Sequence, residues 1–239
     1  MIKKSLFIIT SGIHTPYGKC STQERIEHTW ETLKSIKTYA PDSSVVMLDC
    51  GESSVDKNLF DCDIIDYTVH SEIKSYLKDY RQNTTDDRPE VILKSMSEIL
   101  ICEDYFKQID KNQYNRIFKL CGRYRLNSKF EYSKHLNSKN KVLILPPYFS
   151  HHLYNLNVNV NLSPLQYMTR FFSFDSTLLP EISETYQKMK NEIIKMSQTK
   201  KEGDIEHLLF KHLKKKIVDT TRVIGIEGYW APLKLWIEE

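Results

Sequence analysis

The sequence predicts an α/β fold whose sheet is mostly parallel and carries helices on both faces. Two observations predict it. Apolar runs such as SLFIIT at 5–10 and SVVML at 44–48 have the length and composition of buried strands. A helical pattern at 22–39 connects them, and alternation of strand, helix and strand favours parallel pairing. The alternation continues through three further predicted strands, at 63–67, 116–120 and 141–145.

Helix boundaries are indicated by capping residues and by apolar spacing. Ser21 and Glu24 form a possible capping box at the start of the first helix. In DDRPEVILKSMSEIL, the Asp and Pro residues suit the start of another helix. The later part of the chain predicts a strand at 170–174, a helix whose apolar stripe runs from Ile182 to Met196, a helix at 203–213 and a strand at 222–228.

Composition sets the broad class of the protein. The 239 residues are 40% hydrophobic, which is enough for a sizeable core, and the formal net charge is only +3. That balance argues against a protein that coats nucleic acid, because such proteins carry a clear basic excess. The first apolar run is too short for a signal peptide or a membrane span. We therefore expect a globular protein with no nucleic-acid partner.

The cysteines favour a reducing compartment. None of the five pairs as C-x-x-C, so neither a zinc site nor a disulfide framework is indicated. The cytoplasm is the simplest location for such a chain. The five are Cys20, Cys50, Cys62, Cys102 and Cys121.

A long loop follows the first strand. The segment TSGIHTPYGKCSTQER contains Gly12 and Gly18, but neither G-x-G-x-x-G nor a P-loop motif. Loops of this kind above a parallel sheet commonly bind nucleotides or phosphates. Arg25 lies in the first turn of the following helix, where a cation opposes the helix dipole. It is either a solvated helix charge or a phosphate ligand.

The stretch IFKLCGRYRL ends a buried strand with two arginines around an aromatic residue. Gly122 lacks a side chain and would let a ligand approach the backbone. Arg123 and Arg125 suit phosphate, although in an extended chain they would project to opposite sides. Tyr124 would stack on a base or a sugar. The alternative is an ordinary exit from a strand, with arginines on the surface.

Other polar clusters allow both structural and functional interpretations. Lys94 and Glu98 are spaced for an ion pair within a helix. Asp204 and Glu206 crowd a helix start, where carboxylates suit the dipole or would serve as a general base. In IGIEGYWAP, the aromatic residues Tyr229 and Trp230 would line a sugar site or cap the core.

Three patterns are weaker indications of function. Asp61 and Asp63 form a D-x-D, but it precedes a strand and would lie at the wrong end of the sheet for a nucleotide-bound metal. His151 and His152 are adjacent, and nothing nearby completes a set of metal ligands. The basic run KHLKKK at 211–216 is typical of a solvated helix end, or else contacts an anionic membrane surface.

Several segments in order resemble small GT-A-type glycosyltransferases that use nucleotide sugars, of the kind found in bacterial polysaccharide clusters and large DNA viruses. The resemblance rests on the following segments: STQERIEHTWETLKSIKTYAPDSSVVMLDCGES, LKSMSE, IFKLCGRYRLNSKFE, DIEHLLFKHL and IGIEGYWAP. It implies one GT-A-like domain over 1–239, with a nucleotide-binding part at about 1–145 and an acceptor-side part at about 146–239. It also implies transfer of a sugar from a nucleotide-diphospho-sugar to a glycan, a lipid-linked sugar or a related hydroxyl acceptor.

The sequence departs from the GT-A pattern where that family usually holds its metal. A strand in mid-chain normally ends in D-x-D, whereas here it reads KLCGRYRL. Metal dependence is therefore not indicated, and no cofactor is expected. The charge that develops on a diphosphate leaving group still needs a cation. Arg123 or Arg125, helped by Lys94 or Arg25, would supply it.

The resemblance also implies roles at the nucleoside and at the acceptor. Thr10, Ser11 and Asp49 are expected near the nucleoside, with Asp49 holding a ribose hydroxyl or a base edge. Glu206, with Asp204 beside it, is expected to face the acceptor and act as general base. Two rivals remain: a nucleotidyltransferase-like enzyme acting on sugar phosphates, and an RNA-binding module that uses the arginines.

Overall fold

The computed structural model describes residues 4–15, 19–83, 89–150, 164–199, 203–230 and 235–239. These residues form, in chain order, β1 (Lys4–Ser11), α1 (Thr22–Tyr39), β2 (Ser44–Asp49), β3 (Asp63–Asp66), α2 (Ser71–Asn83), α3 (Pro89–Gln108), β4 (Tyr114–Cys121), β5 (Tyr124–Leu126), α4 (Tyr132–Asn137), β6 (Val142–Ile144), β7 (Tyr148–Phe149), β8 (Leu165–Gln166), β9 (Phe171–Asp175), α5 (Leu179–Gln198), α6 (Ile205–His212), β10 (Val218–Thr220), β11 (Ile226–Trp230) and β12 (Leu235–Glu238).

The main sheet has seven strands in the order β10-β6-β9-β4-β1-β2-β3. β1 lies between β2 and β4 and is parallel to both. β9 runs antiparallel to β4 and β6, and the other described pairs in this sheet are parallel. The mostly parallel α/β fold predicted from the alternation of strands and helices is therefore confirmed.

The capping box predicted at the start of α1 is present. The Ser21 hydroxyl accepts a hydrogen bond from the Glu24 backbone N–H at 3.2 Å, and the Glu24 carboxylate accepts one from the Ser21 N–H at 2.6 Å. These bonds satisfy two donors that would otherwise lack partners at a helix start. The helix that follows buries Leu33 and Ile36 against the sheet. Its observed bounds agree with the predicted 22–39.

Each face of the main sheet carries its own apolar core. On one face, α3, α5 and α6 pack through residues such as Met96, Ile99 and Leu208. The apolar stripe predicted for α5, from Ile182 to Met196, is buried in this core. On the other face, α1 packs against a second apolar core, which includes Phe7. In the described part of the chain, no helix is both long and apolar enough to cross a membrane.

Several elements of the fold were not predicted, among them one helix and one small sheet. α2 was not predicted as a helix, and β5, β11 and β12 form a separate antiparallel sheet in the order β12-β11-β5. The chain turns at Gly122 and Arg123 as it leaves β4, and β5 begins directly afterwards. Arg123 and Arg125 are therefore not part of one extended strand, the arrangement in which they were expected to project to opposite sides. The turn separates the surroundings of Arg123 from those of Arg125.

Candidate functional site

The carboxyl ends of β1, β2 and β4 meet at one edge of the main sheet. The strand register places Thr10 beside Leu48 and Cys121, and Ser11 beside Asp49. Ligands of open α/β sheets bind in the crevice outside this edge. Thr10, Ser11 and Asp49, predicted near a nucleoside, are therefore brought together where a ligand would lie. Their contact with a nucleoside stays a prediction.

Asp49 holds the two loops that border this edge. Its side chain is fully buried, and its carboxylate accepts hydrogen bonds from the N–H groups of Ile13, at 2.9 Å, and Gly51, at 3.3 Å. Burial raises the pKa of this carboxyl, while the two N–H donors oppose the rise. The carboxylate thus fixes the loops after β1 and β2. The ribose or base contact predicted for Asp49 would compete with these bonds.

The turn after β4 packs directly against α1. The Gly122 N–H donates to the Thr10 carbonyl at 3.0 Å, and the Thr29 hydroxyl donates to the Gly122 carbonyl at 3.3 Å. A Cβ atom on Gly122 would lie 3.3 Å from both Ile9 Cγ2 and Thr29 Oγ1. The glycine therefore permits close packing of β1 and α1. This differs from the prediction that Gly122 gives a ligand access to the backbone.

Arg25 and Arg123 lie close together at this edge. Arg25 is 8% exposed, and its Nε donates to the Cys20 carbonyl at 3.1 Å. Burial and the nearby Arg123 guanidinium both lower the pKa of Arg25. The nearby carboxylates, Glu24 and Asp49, oppose that effect, but they accept hydrogen bonds from Ser21 and from the loop backbone. Two guanidinium groups thus approach each other beside the sheet edge.

Within the described residues, the Arg123 guanidinium has no ion pair and no hydrogen bond. His28 lies one helical turn after Arg25, on the same face of α1, and burial together with the Arg123 guanidinium lowers the pKa of His28. Among the described residues, the buried His28 Nδ1 has no hydrogen-bond partner, and the ring lies 6.2 Å from that of Tyr229. We call the two guanidinium groups of Arg25 and Arg123, together with the His28 ring beside them, the cationic cluster. Such a grouping favours an anionic ligand.

His28 was missed by the sequence analysis, and so was the meeting of Tyr229 with α1. The available signal was spacing, because His28 lies one helical turn from Arg25 and therefore on the same face. Nothing local to IGIEGYWAP indicated that β11 would pass beside α1. The long-range pairing of β11 with β5 creates that contact.

Arg125 has different partners from Arg123. Its Nε donates to Glu227 at 2.7 Å, another guanidinium nitrogen donates to Glu31 at 3.1 Å, and the group lies 5.2 Å from the centre of the Trp236 ring. These contacts join β5 to β11, β12 and α1. The diphosphate contact predicted for Arg125 would require these bonds to break.

Tyr124 is a core residue. It is 3% exposed, and the Arg170 guanidinium lies 5.4 Å from its ring centre. Burial raises the pKa of its hydroxyl to about 12. The stacking on a base or sugar predicted for Tyr124 does not fit this burial.

Glu206 lies in the first turn of α6. Thr169 donates a hydrogen bond from its hydroxyl to Glu206 Oε1 at 3.2 Å. Burial, followed by the Asp204 and Glu98 carboxylates, raises the pKa of Glu206 to about 7. A carboxyl that titrates near neutrality can accept a proton from a substrate hydroxyl. The expected role of Glu206 as general base stays a prediction that this environment suits.

Asp204 caps α6. Its carboxylate accepts hydrogen bonds from the His207 backbone N–H, at 2.8 Å, and is 2.7 Å from the His207 ring Nδ1. This is the structural role that carboxylates commonly take at a helix start. Asp204 also influences Glu206 electrostatically, since its negative charge helps to raise the pKa of that carboxyl.

A buried lysine joins the end of β4 to this acidic region. Lys119 is 0% exposed, and its Nζ donates to the Thr169 carbonyl at 2.7 Å and to Cys121 Sγ at 3.1 Å. It is also ion-paired with Glu98 of α3. Lys119 was missed, although a lysine within the apolar run IFKLC was a visible signal. Lys94 is exposed on α3, and its predicted role at the diphosphate stays a prediction.

The structure describes two of the three patterns that were weaker indications of function: the D-x-D and the basic run. Asp61 is exposed and ion-paired with Lys37, and Asp63 begins β3 at the amino end of that strand. His151 and His152 lie outside the described residues. In the basic run, Lys211 pairs with Glu192 at 2.5 Å, and Lys214 pairs with Glu184 at 3.0 Å. The five cysteines are free thiols.

The residues at the carboxyl end of β4 do not suit a divalent metal. Mn²⁺ and Mg²⁺ favour carboxylate and carbonyl oxygens, whereas this strand end presents Cys121 and Arg123 beside Arg25. Across the described ranges, no group of three or more His, Cys, Asp or Glu side chains is arranged to hold a metal ion.

Comparison with known proteins shows similarity in structure. No family model and no curated protein matches the sequence. Core-mannan synthase A from Aspergillus fumigatus, in its Mn/GDP form, has a TM-score of 0.56 at 8% identity over 93% of this chain and 74% of that one. The mannosyltransferase Ktr4p from S. cerevisiae has a TM-score of 0.55 at 12% identity, covering 94% and 70% of the two chains.

A galactosyltransferase shows the same similarity. LgtC, solved with donor and acceptor sugar analogues, has a TM-score of 0.52 at 10% identity over 90% of this chain and 73% of that one. At such identities the likeness concerns the arrangement of helices and strands. The chain therefore has the GT-A fold, with a mostly parallel sheet flanked by helices, that these three glycosyltransferases share.

Proposed function

We propose that the protein is a glycosyltransferase that moves a sugar from a nucleotide-diphospho-sugar to a hydroxyl acceptor. The observation that carries the proposal is the cationic cluster of Arg25, His28 and Arg123 beside the carboxyl edge of a GT-A sheet. Two guanidinium groups that repel each other are stabilised by a polyanion between them. A diphosphate fits this requirement in charge and in hydrogen-bonding geometry.

The cationic cluster would act on the leaving group. When the bond between the anomeric carbon and the diphosphate oxygen breaks, negative charge grows on the nucleoside diphosphate. Fixed guanidinium groups stabilise that charge without having to reorganise during the reaction. Arg123 contacts the phosphates in this proposal, Arg25 lies behind it, and Thr10 and Ser11 border the nucleoside.

Transfer is proposed to proceed without a divalent metal. The support is the chemistry of the residues at the end of β4, which offers guanidinium groups where a metal would need carboxylates. In core-mannan synthase A, by contrast, the solved form contains Mn and GDP. The positive charge that a metal brings to a diphosphate would come here from Arg123 and Arg25.

Glu206 is the proposed general base. It takes the proton of the acceptor hydroxyl, the hydroxyl oxygen bonds to the anomeric carbon, and the nucleoside diphosphate leaves with the bonding electrons. Its pKa of about 7 lets it exist as carboxylate at neutral pH while remaining basic enough to accept the proton. Residues of about 1–145 would bind the donor, and those of about 146–239 would form the acceptor side.

The acceptor is proposed to be a glycan or a lipid-linked sugar. Contact with a membrane surface stays a prediction, and the pairing of Lys211 and Lys214 with carboxylates of α5 weakens it. A cytoplasmic location, and the origin of the resemblance in bacterial polysaccharide clusters or large DNA viruses, also remain predictions.

A nucleotide panel tests the proposal. Thermal unfolding is followed with UDP, GDP, CMP and dTDP, each with and without EDTA. We expect one nucleotide to raise the melting temperature, EDTA to leave the rise unchanged, and the variant Arg123→Ala to lose it. The matched variant Arg125→Ala should keep it. If no nucleotide shifts the transition, the donor site is wrong; if EDTA abolishes the shift, transfer without metal is wrong.

A further inference from the structure

A buried charge network lies beneath Glu206 on the α3, α5 and α6 face of the main sheet. Lys119 extends from the middle of this sheet and is fully buried, yet it carries an ion pair with Glu98. A buried ion pair loses much hydration, so it seldom exists for stability alone. This ion pair lies between the end of β4 and the start of α6, which indicates that it has a function besides stability.

Hydrogen bonds connect this ion pair to Glu206. Lys119 Nζ donates to the Thr169 carbonyl at 2.7 Å, which fixes the backbone just before β9. The hydroxyl of the same Thr169 donates to Glu206 Oε1 at 3.2 Å. Two residues earlier, the Tyr167 N–H donates to the Glu206 carbonyl at 3.3 Å. The segment from Tyr167 to Thr169 therefore holds Glu206 by both its backbone and its side chain.

We propose that Glu98 and Thr169, joined through Lys119, are positioning residues that hold the Glu206 carboxylate toward the acceptor hydroxyl and control when it carries a proton. This inference rests on the proposed function, since it concerns how the proposed general base is prepared. Neither Glu98 nor Thr169 contacts the sugar in this arrangement. They act through Glu206.

The groups around Glu206 come from several elements. Among the described residues, the titratable side chains that interact with it are Asp204 at the start of α6, Glu98 of α3, Tyr148 of β7 and Tyr186 of α5. Tyr186 is fully buried, and its hydroxyl has no hydrogen-bond partner in the part of the chain that the structure describes. Lys119 is the nearby cation, through its bond to Thr169. Glu98 is thus one of two acidic neighbours, and the one that is tied to Lys119.

Glu98 and Thr169 have opposite effects on the pKa of Glu206. The negative charge of Glu98 disfavours a second carboxylate nearby, so it raises the pKa of Glu206. The Thr169 hydroxyl donates to the charged form of Glu206 and therefore lowers that pKa. Loss of the charge on Glu98 should make Glu206 titrate at lower pH, whereas loss of the hydroxyl should make it titrate at higher pH.

The experiment follows the side-chain carboxyl carbon of Glu206 by ¹³C NMR during a pH titration, with the signal assigned from Glu206→Gln. We expect Glu98→Gln to lower the midpoint by about one pH unit and Thr169→Val to raise it. Thr169→Ser, which keeps the hydroxyl, should restore the wild-type midpoint. Glu103→Gln is the matched control, because Glu103 lies on the same helix and pairs instead with Lys107 and Lys190.

The pH dependence of kcat/KM for sugar transfer should move in the same directions as the NMR midpoints. If transfer is detected but Glu98→Gln and Thr169→Val leave both midpoints unchanged, or move them in the same direction, the inference is overturned and the proposed function stands. If the midpoints move as expected but no nucleotide sugar is bound or consumed, the proposed function fails and the catalytic use of this network fails with it. Lys119 is left intact, because its complete burial would make a folding defect hard to separate from a change at Glu206.

Discussion

Arg123 and Arg125 differ by two positions in the sequence and have opposite surroundings. Arg125 belongs to the sheet of β5, β11 and β12, where Glu227, Glu31 and the Trp236 ring compensate its charge. Arg123 lies in the preceding turn, where its charged neighbours include Arg25 and no carboxylate pairs with it among the described residues. One arginine is satisfied by the fold, and the other is the one that we propose binds a ligand.

The difference teaches that the partners of a side chain reveal its function better than its type or exposure does. Both arginines are partly exposed, so burial does not separate them. Perturbed ionisable groups that the fold does not compensate tend to gather at functional sites. Arg123 has no ion pair among the described residues, whereas Arg125 belongs to a network of structural ion pairs.

Replacing each arginine in turn has the largest expected effect on the comparison. We expect Arg123→Ala to weaken binding of the nucleotide diphosphate by about 10- to 100-fold, because hydrogen bonds to a charged group are each worth about 1.5–3 kcal/mol. Arg125→Ala should leave the affinity within about twofold, since Arg125 already has protein partners. Isothermal titration calorimetry measures both. Equal losses in the two variants would show that the arginines are not distinct.

Arg25 tests whether the cluster needs a guanidinium group or only a charge. Arg25→Lys keeps the cation but loses the planar fork and the Nε bond to the Cys20 carbonyl. We expect about a tenfold loss of affinity, smaller than for Arg123→Ala because the positive charge remains. The melting temperature, measured without ligand, shows whether the loop before α1 is also weakened. Wild-type affinity in this variant would mean that Arg25 acts only through its charge.

The sequence predicted what depends on local pattern. The capping box of Ser21 and Glu24, the apolar stripe of α5 and the parallel order of the first strands follow from spacing, and the structure confirms them. The turn at Gly122 could not be predicted from the sequence, because it depends on the pairing of β5 with β11, about a hundred residues later in the chain. For the same reason the pairing of Lys119 with Glu98 could not be predicted, whereas the divergence of Arg123 and Arg125 was expected from the alternation of an extended chain.

His28 provides a further test, through the pH dependence of diphosphate binding. Burial and Arg123 hold its pKa below the usual value, so the ring is neutral at pH 7 and gains a proton as the pH falls. The added charge should strengthen diphosphate binding as the pH falls below the usual pKa range of histidine. The ligand for this measurement is a donor in which both phosphates are esterified, because its own charge then stays constant as the pH changes.

His28→Gln is the control for this effect. It removes the titrating ring and keeps a polar side chain, whereas Glu206, whose pKa is about 7, is unchanged in both proteins. The difference in pH dependence between wild type and variant therefore isolates His28. If the two proteins show the same pH dependence of affinity, His28 does not face the diphosphate.

The smallest expected effect is on stability, and it belongs to Arg125. Arg125→Ala removes two ion pairs and the contact with the Trp236 ring, but the Arg125 side chain is 37% exposed and Glu31 is 49% exposed. Solvent screens such pairs, so we expect the free energy of unfolding to fall by only about 1 kcal/mol. Chemical denaturation with added salt provides the measurement, and high salt should shrink the difference from wild type.

Arg123→Ala should leave the free energy of unfolding unchanged or slightly raise it, because it relieves repulsion with Arg25. A loss of stability in Arg123→Ala as large as that in Arg125→Ala would mean that the fold uses both arginines, and the distinction between a structural and a ligand-binding arginine would fail.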